Sequence, residues 1–426
     1  MNTVSKSAAI QLMVSLMLVI GAVLLNWGLD SREIPQLWQA VGVLLGTFWA
    51  GWAFTALYNR QADLMLLPLS SALVSLGWLE IVRYFVSKAQ PDATMREAVH
   101  VAIGMGAFVV VSLLLRDYRV LEGYKYVLLL AGVLFQFSLV FIGREANGAK
   151  LWISIGSTGV QPFEFVKILL AIFLAAYLNQ FSQWIRLGLT SPKFGRLSRR
   201  ALLVLGLCIG TAEGLLAAQK DLGMALLLFG LFIALFYIAT GRRDLVAIGA
   251  VLMSIGSYVC YRFYAHVQTR VEVWLDPFKD PTNGGFQMIQ GLYQLANGGL
   301  FGTGLGLGMP YCTPDADTDF IFNTIGEELG LVGLAVLMLI IVCLCSRAFR
   351  VALLAKDDFG TILAAGMAVL WAWQSLIVMW GCTKMMPMTG VTLPFVSRGG
   401  SSLVANYIMM AILWRISYPG KERHGA

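Results

Sequence analysis

The sequence is short of charge. Asp, Glu, Lys and Arg make up 13% of its 426 residues, about half of the roughly 25% that a water-facing globular surface carries. Hydrophobic residues make up 58%, and the mean hydropathy is +0.73. These values exclude a cytosolic enzyme and a disordered chain, and they assign much of the surface to a bilayer. Histidine is scarce too. His100, His266 and His424 are the whole set, too far apart in sequence to support a His-based metal site or a Ser-His-Asp triad. Of the six cysteines, Cys208, Cys260, Cys343, Cys345 and Cys382 sit in or beside apolar stretches and only Cys312 lies in a long loop. That pattern excludes a secreted disulfide scaffold and a C-x-x-C metal site. The basic residues are scattered through short loops without aromatic interleaving, which argues against a nucleic-acid partner.

What the chain has in quantity is apolar stretches. A hydrocarbon core about 30 Å thick takes about 20 apolar helical residues per crossing. Twelve stretches qualify, near 8–26, 36–58, 64–86, 98–115, 125–143, 160–180, 201–218, 222–240, 244–262, 320–345, 359–381 and 391–414. The first lacks a small-residue cleavage site and reads as a retained helix rather than a signal peptide. Counting Lys and Arg by alternate loops gives 18 on the side of the N-terminus and 10 on the other. The expectation is an all-α polytopic membrane protein with both termini cytoplasmic. The basic inner loop near 181–200 is expected to rest on anionic lipid headgroups.

The loop over 263–318 is more than fifty residues long and rich in glycine and aromatics; a loop of that length is usually functional or a linker. Its run from Gly298 to Gly308 has no G-K-[ST] and follows no predicted strand, so tight turns and close packing account for it better than a phosphate-binding loop. Asp315, Asp317 and Asp319 crowd its end. They serve either as helix caps or, having more acids than capping needs, as a general base or cation site. Within the apolar stretches, Glu164 and Lys167 lie at i, i+3 in QPFEFVKILL and can pair. They form either a self-neutralised structural pair or a polar wall of a substrate cleft. Glu80 with Arg83, Glu213, and Glu327 with Glu328 are similar but less specific.

Five polar motifs occur in order: NGAKLWISIG (147–156) leading into QPFEFVK (161–167), QKDLGMALL (219–227), ANGGLFGTGLG (296–306), TDFIFNTIGEELGLVG (318–333) and TGVTLPFVSRGGSSL (389–403). Together they resemble the SEDS family (shape, elongation, division and sporulation; RodA, FtsW and SpoVE), over about 61–417. The resemblance implies a ten-helix core over 61–426, preceded here by an additional transmembrane hairpin at 1–60. It implies a peptidoglycan glycosyltransferase that polymerises lipid II at the outer face of the bacterial plasma membrane, beside a class B penicillin-binding protein that crosslinks the product. The family's essential aspartate falls on Asp319, and its Q-P-x-E-x-x-K motif on Glu164 and Lys167. Two departures stand out. The usual S-Y-G-G-S reads Ser397-Arg398-Gly399-Gly400-Ser401 here, and the usual P-E-x-x-T-D reads Pro314-Asp315-Ala316-Asp317-Thr318-Asp319.

The resemblance implies that an acceptor hydroxyl attacks the donor's anomeric carbon while undecaprenyl pyrophosphate leaves. Asp319 is then the expected general base, in a single inverting displacement. Lys150 and Lys167, by motif position, and Arg144 and Arg270, by side and charge, are the expected pyrophosphate contacts. A divalent cation (Mg or Mn) is compatible with these acids, although no ligand spacing calls for one and no cofactor is assigned. Two rival readings are a lipid II flippase or other transporter and a non-catalytic scaffold of the cell-wall machinery. Against transport stand the lack of an internal repeat and the concentration of polar motifs on one face. The loop ending GTGLGLGMPYCTPDADTDF lacks the basic stretch expected of a division-type member, which favours an elongation role.

Overall fold

The computed structural model describes residues 3–27, 33–88, 90, 92–146, 149–155, 158–187 and 192–418. In chain order the elements are α1 (Thr3–Asn26), α2 (Ile34–Tyr58), α3 (Leu66–Ser87), α4 (Asp92–Leu114), a single turn α5 (Val120–Gly123) and α6 (Lys125–Ile142). Strands β1 (Arg144–Ala146), β2 (Ala149–Ile155) and β3 (Thr158–Val160) follow. Then come α7 (Phe163–Leu187), α8 (Pro192–Ala218), α9 (Leu222–Thr240), α10 (Arg243–Phe263), α11 (Ala265–Leu275), α12 (Phe286–Gly298), α13 (Ile321–Leu353), α14 (Asp358–Cys382) and α15 (Gly400–Ile416).

Among the described residues, ten helices are long and apolar enough to cross a membrane: α1 to α4, α7 to α10, α13 and α14. The chain is a mostly helical, multi-pass membrane protein. Two more expected stretches become shorter apolar helices, Lys125–Leu139 within α6 and Gly400–Ile416. The last helix starts nine residues later than expected, because Pro394 and the Gly399-Gly400 pair hold 391–399 in turns. A second departure from the all-α expectation is a three-stranded antiparallel sheet in the order β1-β2-β3. Its register pairs Glu145 with Lys150 and Ile153 with Val160.

Helix ends follow local chemistry. The Asp221 side chain caps α9 by accepting from Met224 N at 3.1 Å, and Gly241 closes the helix at φ 66°. Asp357 caps α14 by accepting from Gly360 N at 2.7 Å.

The chain divides into two compact units. The first comprises Met1–Tyr118, Phe286–Lys356 and Thr392–Ala426. Here α3, buried almost all round, packs on α1 and α13, and α4 packs on α2 and α15. The α1–α2 hairpin is closed by Trp49 and Trp52, whose indole nitrogens donate to the hydroxyls of Ser15 and Ser7 at 3.1 Å each. Gly21 lies against Leu79, where a Cβ would fall 2.5 Å from a leucine methyl. Buried Arg415 joins three helices, donating to Ser112 O at 2.6 Å and stacking 5.2 Å from the Tyr58 ring.

Gly330 breaks α13 with φ 66° and ψ −167°. A break of that kind strands backbone groups that a membrane cannot satisfy. The glycine-rich segment after α12 satisfies them. Thr303 N and Gly304 N donate to the carbonyls of Glu327 and Glu328 at 2.9 and 3.0 Å. Leu331 N and Val332 N donate to the carbonyls of Gly299 and Leu300 at 3.0 and 3.1 Å. The Glu328 carboxylate adds two bonds, from Gly306 N at 2.7 Å and Gly308 N at 3.2 Å. A Cβ on Gly302 would lie 2.1 Å from Glu328 O, which is why the approach needs glycine.

The second unit comprises Arg119–Gly285 and Asp357–Val391, with α7 packed among α6, α8, α9 and α14.

Candidate functional site

In the second unit the chemistry starts at the head of α7. Gln161 and Pro162 turn the chain into the helix, accepting from Glu164 N and Val166 N at 3.3 and 3.1 Å. Glu164 thus falls in the first turn, where the helix dipole favours an acid. One turn on, Lys167 Nζ meets Glu164 Oε2 at 2.5 Å, and neither residue has any exposed surface. Lys167 also donates to Gln374 Oε1 on α14 at 2.9 Å. A buried ion pair tolerates desolvation only when each partner is satisfied in this way. Gln374, 207 residues from Lys167, has no signal in the sequence.

A second cluster in this unit joins two motifs. Gly223 lies against Thr389, where a Cβ would sit 2.4 Å from the carbonyl oxygen. Arg270 Nη1 donates to the carbonyls of Met388 and Thr389 at 3.3 and 3.1 Å. Arg270, expected to contact pyrophosphate, therefore spends one nitrogen on tying α11 to the turn after α14. Asp221, two residues before Gly223 in the 219–227 motif, is buried. Burial pushes its carboxyl up to about 6, against the lowering pull of the Met224 amide and of Arg270. Sequence reasoning had not singled out Asp221, although its motif was visible. Arg144 and Lys150 take places on β1 and β2; their side chains lie outside the described residues, as do Asn147, Gly148 and Gly156 of that motif.

In the first unit, Asp319 is half-buried two residues before α13. The segment leading to it is held by the final motif. Ser397 Oγ donates to Thr318 O at 2.6 Å, and Arg398 N donates to Asp317 O at 2.8 Å. The Arg398 guanidinium pairs with the Asp317 carboxylate and lies 5.2 Å from the centre of the Phe85 ring. Burial raises the Asp317 carboxyl above the ordinary range, and the guanidinium pulls it back down. Asp315 adopts φ 51° and Phe395 φ 63°, the latter a conformation that bulky residues avoid. Two of the three acids have separate tasks. Asp315 O accepts from Thr318 N and Phe320 N at 3.1 Å each, Asp317 holds Arg398, and the α13 N-cap, Phe320, has no side-chain cap. Neighbouring His100 Nδ1 stands 3.3 Å from Glu97 Oε2 on α4.

Asp319 and the Glu164–Lys167 pair fall in different units. Among the described residues, no group of three or more His, Cys, Asp or Glu has the arrangement of a metal site.

A family model described as Cell cycle protein (FtsW, RodA, SpoVE) matches residues 64–422. The peptidoglycan glycosyltransferase RodA of Mycobacterium tuberculosis is 40% identical over 379 residues, 86% of this chain and 80% of that one. Its Mycobacterium leprae counterpart is 39% identical over 407 residues, 92% and 86% of the two chains. The probable peptidoglycan glycosyltransferase FtsW of Geobacter sulfurreducens is 37% identical over 329 residues, 76% and 84%. Among solved structures, a chain from work on the structural coordination of polymerization and crosslinking by a peptidoglycan synthase complex superposes with a TM-score of 0.68. It is 25% identical and covers 84% of this chain and 97% of its own. The rod shape determining protein RodA of Thermus thermophilus shares the fold at a TM-score of 0.59, with 24% identity over 84% of this chain and 96% of that one.

Proposed function

Because the chain belongs to the FtsW/RodA/SpoVE family of cell cycle proteins, we propose that it is a peptidoglycan glycosyltransferase. It polymerises lipid II on the outer face of the bacterial plasma membrane. The observation that carries this reading is 40% identity to a RodA of that named activity across 86% of the chain.

Asp319 is the proposed general base. It takes the proton of the acceptor hydroxyl as that oxygen attacks the anomeric carbon of the donor. The bond from that carbon to the phosphate oxygen breaks, and undecaprenyl pyrophosphate departs with the electron pair. One carboxylate is enough for a single inverting displacement. The clamp of Ser397 and Arg398 on residues 317 and 318 supports the assignment, since a base acts only when held at a fixed position. Glu164 with Lys167, and the cations Lys150, Arg144 and Arg270, are the proposed surroundings of the lipid-linked pyrophosphate, positive charge there offsetting what develops on the leaving group. Both termini lie in the cytoplasm in this reading, with twelve crossings in total. The partner is a class B penicillin-binding protein, as the synthase complex that shares this fold suggests.

Purified Asp319→Asn protein, given its partner and labelled lipid II, is expected to make no glycan polymer while unfolding at the wild-type temperature. Full activity would remove Asp319 from the base role. Translocation of lipid II in liposomes by the wild type alone, without polymer, would replace the transferase reading with a flippase.

A further inference from the structure

The segment that repairs the break in α13 also carries a highly exposed apolar tip in the first unit. Leu300 is 61% exposed and Phe301 82%, with no charged residue between Gly299 and Gly308. We propose that the Leu300–Phe301 tip is a preformed anchor seated in lipid, at the membrane interface opposite Arg347 and Arg350. This inference goes beyond the transferase reading and does not depend on it.

The argument is one of depth. The exposed apolar face of α13 begins at Leu331 and Val332, 54% and 50% exposed, and continues through Val336, Leu339 and Val342. From Leu331 to Arg350 the helix rises about 28 Å at about 1.5 Å per residue, close to the roughly 30 Å of the hydrocarbon core. With Arg347 and Arg350 at one boundary, Leu331 stands at the other. The backbone bonds from Leu331 N to Gly299 O and from Val332 N to Leu300 O set the tip at that same level. Its apolar surface is thus continuous with the lipid-facing stripe of α13.

The tip is also held in place. Thr303 and Gly304 are bonded to the Glu327 and Glu328 carbonyls, and Gly306 and Gly308 to the Glu328 carboxylate. A loop tied at six points cannot fold Phe301 away from water, so its exposure makes sense only beside something apolar. The uncharged run and its continuity with the span select lipid over a protein surface, whose rim would offer polar partners.

Nitroxide labels test this on the full chain, reconstituted alone in nanodiscs of phosphatidylethanolamine and phosphatidylglycerol. The exposed native thiol is removed by Cys312→Ser. Labels are placed by Phe301→Cys and separately Leu300→Cys, with Leu339→Cys as lipid control and Lys356→Cys as water control. Power saturation should show both tip labels relaxed more by oxygen than by a nickel chelate, as at position 339. A tip that behaves like position 356 overturns the proposal. So does a tip shielded from both reagents, whether alone or only after the crosslinking partner is added, because the surface would then be a protein interface.

Discussion

Arg398 and Asp317 are joined twice, backbone to backbone at 2.8 Å and guanidinium to carboxylate. The residue that departs most visibly from its family motif thereby fixes the peptide two positions before Asp319. Arg398→Ala would leave a buried carboxylate without its counter-charge, at a cost of about 1–3 kcal/mol. The pH dependence has a definite sign. A carboxyl raised by burial contributes stability at low pH that fades as pH rises through its folded value. Loss of Arg398 raises it further, so the deficit of Arg398→Ala in thermal unfolding should widen from acid to neutral pH. The Asp317→Asn background should close that gap. Polymerisation by Arg398→Ala should fall in kcat more than it rises in KM, because the proposed base Asp319 is displaced and not the substrate.

Glu164 and Lys167 make a sharper case, since both are fully buried. Lys167→Met or Glu164→Gln alone should cost about 3–5 kcal/mol, because each leaves one partner charged or unsatisfied in the core. The double variant should recover much of that in a double-mutant cycle read by thermal unfolding in detergent. Recovery of fold without recovery of polymerisation would separate chemical from structural roles. Recovery of both would leave the pair purely structural.

Asp221 offers a titration that can be read directly. Its carboxyl is pushed up to about 6 by burial, so the stability it contributes is complete below about 4 and is lost as pH rises through about 6. Asp221→Asn should remove that decline between about pH 4 and 6 while keeping the side-chain oxygen that caps α9. Parallel stability profiles for the two proteins would disprove the assignment.

The glycine segment separates two effects of substitution. Gly302→Ala meets Glu328 O at 2.1 Å and must hold φ 83°, so it should cost well over about 2 kcal/mol. Gly299→Ala has φ 52° but open space around it, so only the left-handed strain of about 1–2 kcal/mol applies. Limited proteolysis of the 299–309 loop should detect the first variant at lower protease than the second.

How legible all this was depends on distance along the chain. The Glu164–Lys167 pair could be read because i, i+3 spacing on a helix is a local fact. Gln374 and the Asp317–Arg398 clamp could not, because each joins segments far apart in sequence. The departure at Arg398 was visible; its partner was not. The break at Gly330 was hidden for another reason. GEELGLVG reads as continuous helix until the carbonyls of a different segment compete for its amides. The sheet over 144–160 was missed because it fills the gap between two apolar stretches, where only the alternation in LWISI hints at a strand.

Packing of α1 on α3 bears on how this chain enters the bilayer. Among the ten long helices α3 is the least apolar, and it carries Glu80 and Arg83, each a burden of roughly 2.5–3.5 kcal/mol at mid-membrane. Synthesis delivers α1 and α2 first. When α3 arrives, a closed hairpin is already present, with Gly21 shaped to receive Leu79. The hairpin, which precedes the part of the chain that matches the family model, so gives the most reluctant helix a protein surface to enter against before its permanent neighbour α13 has been made.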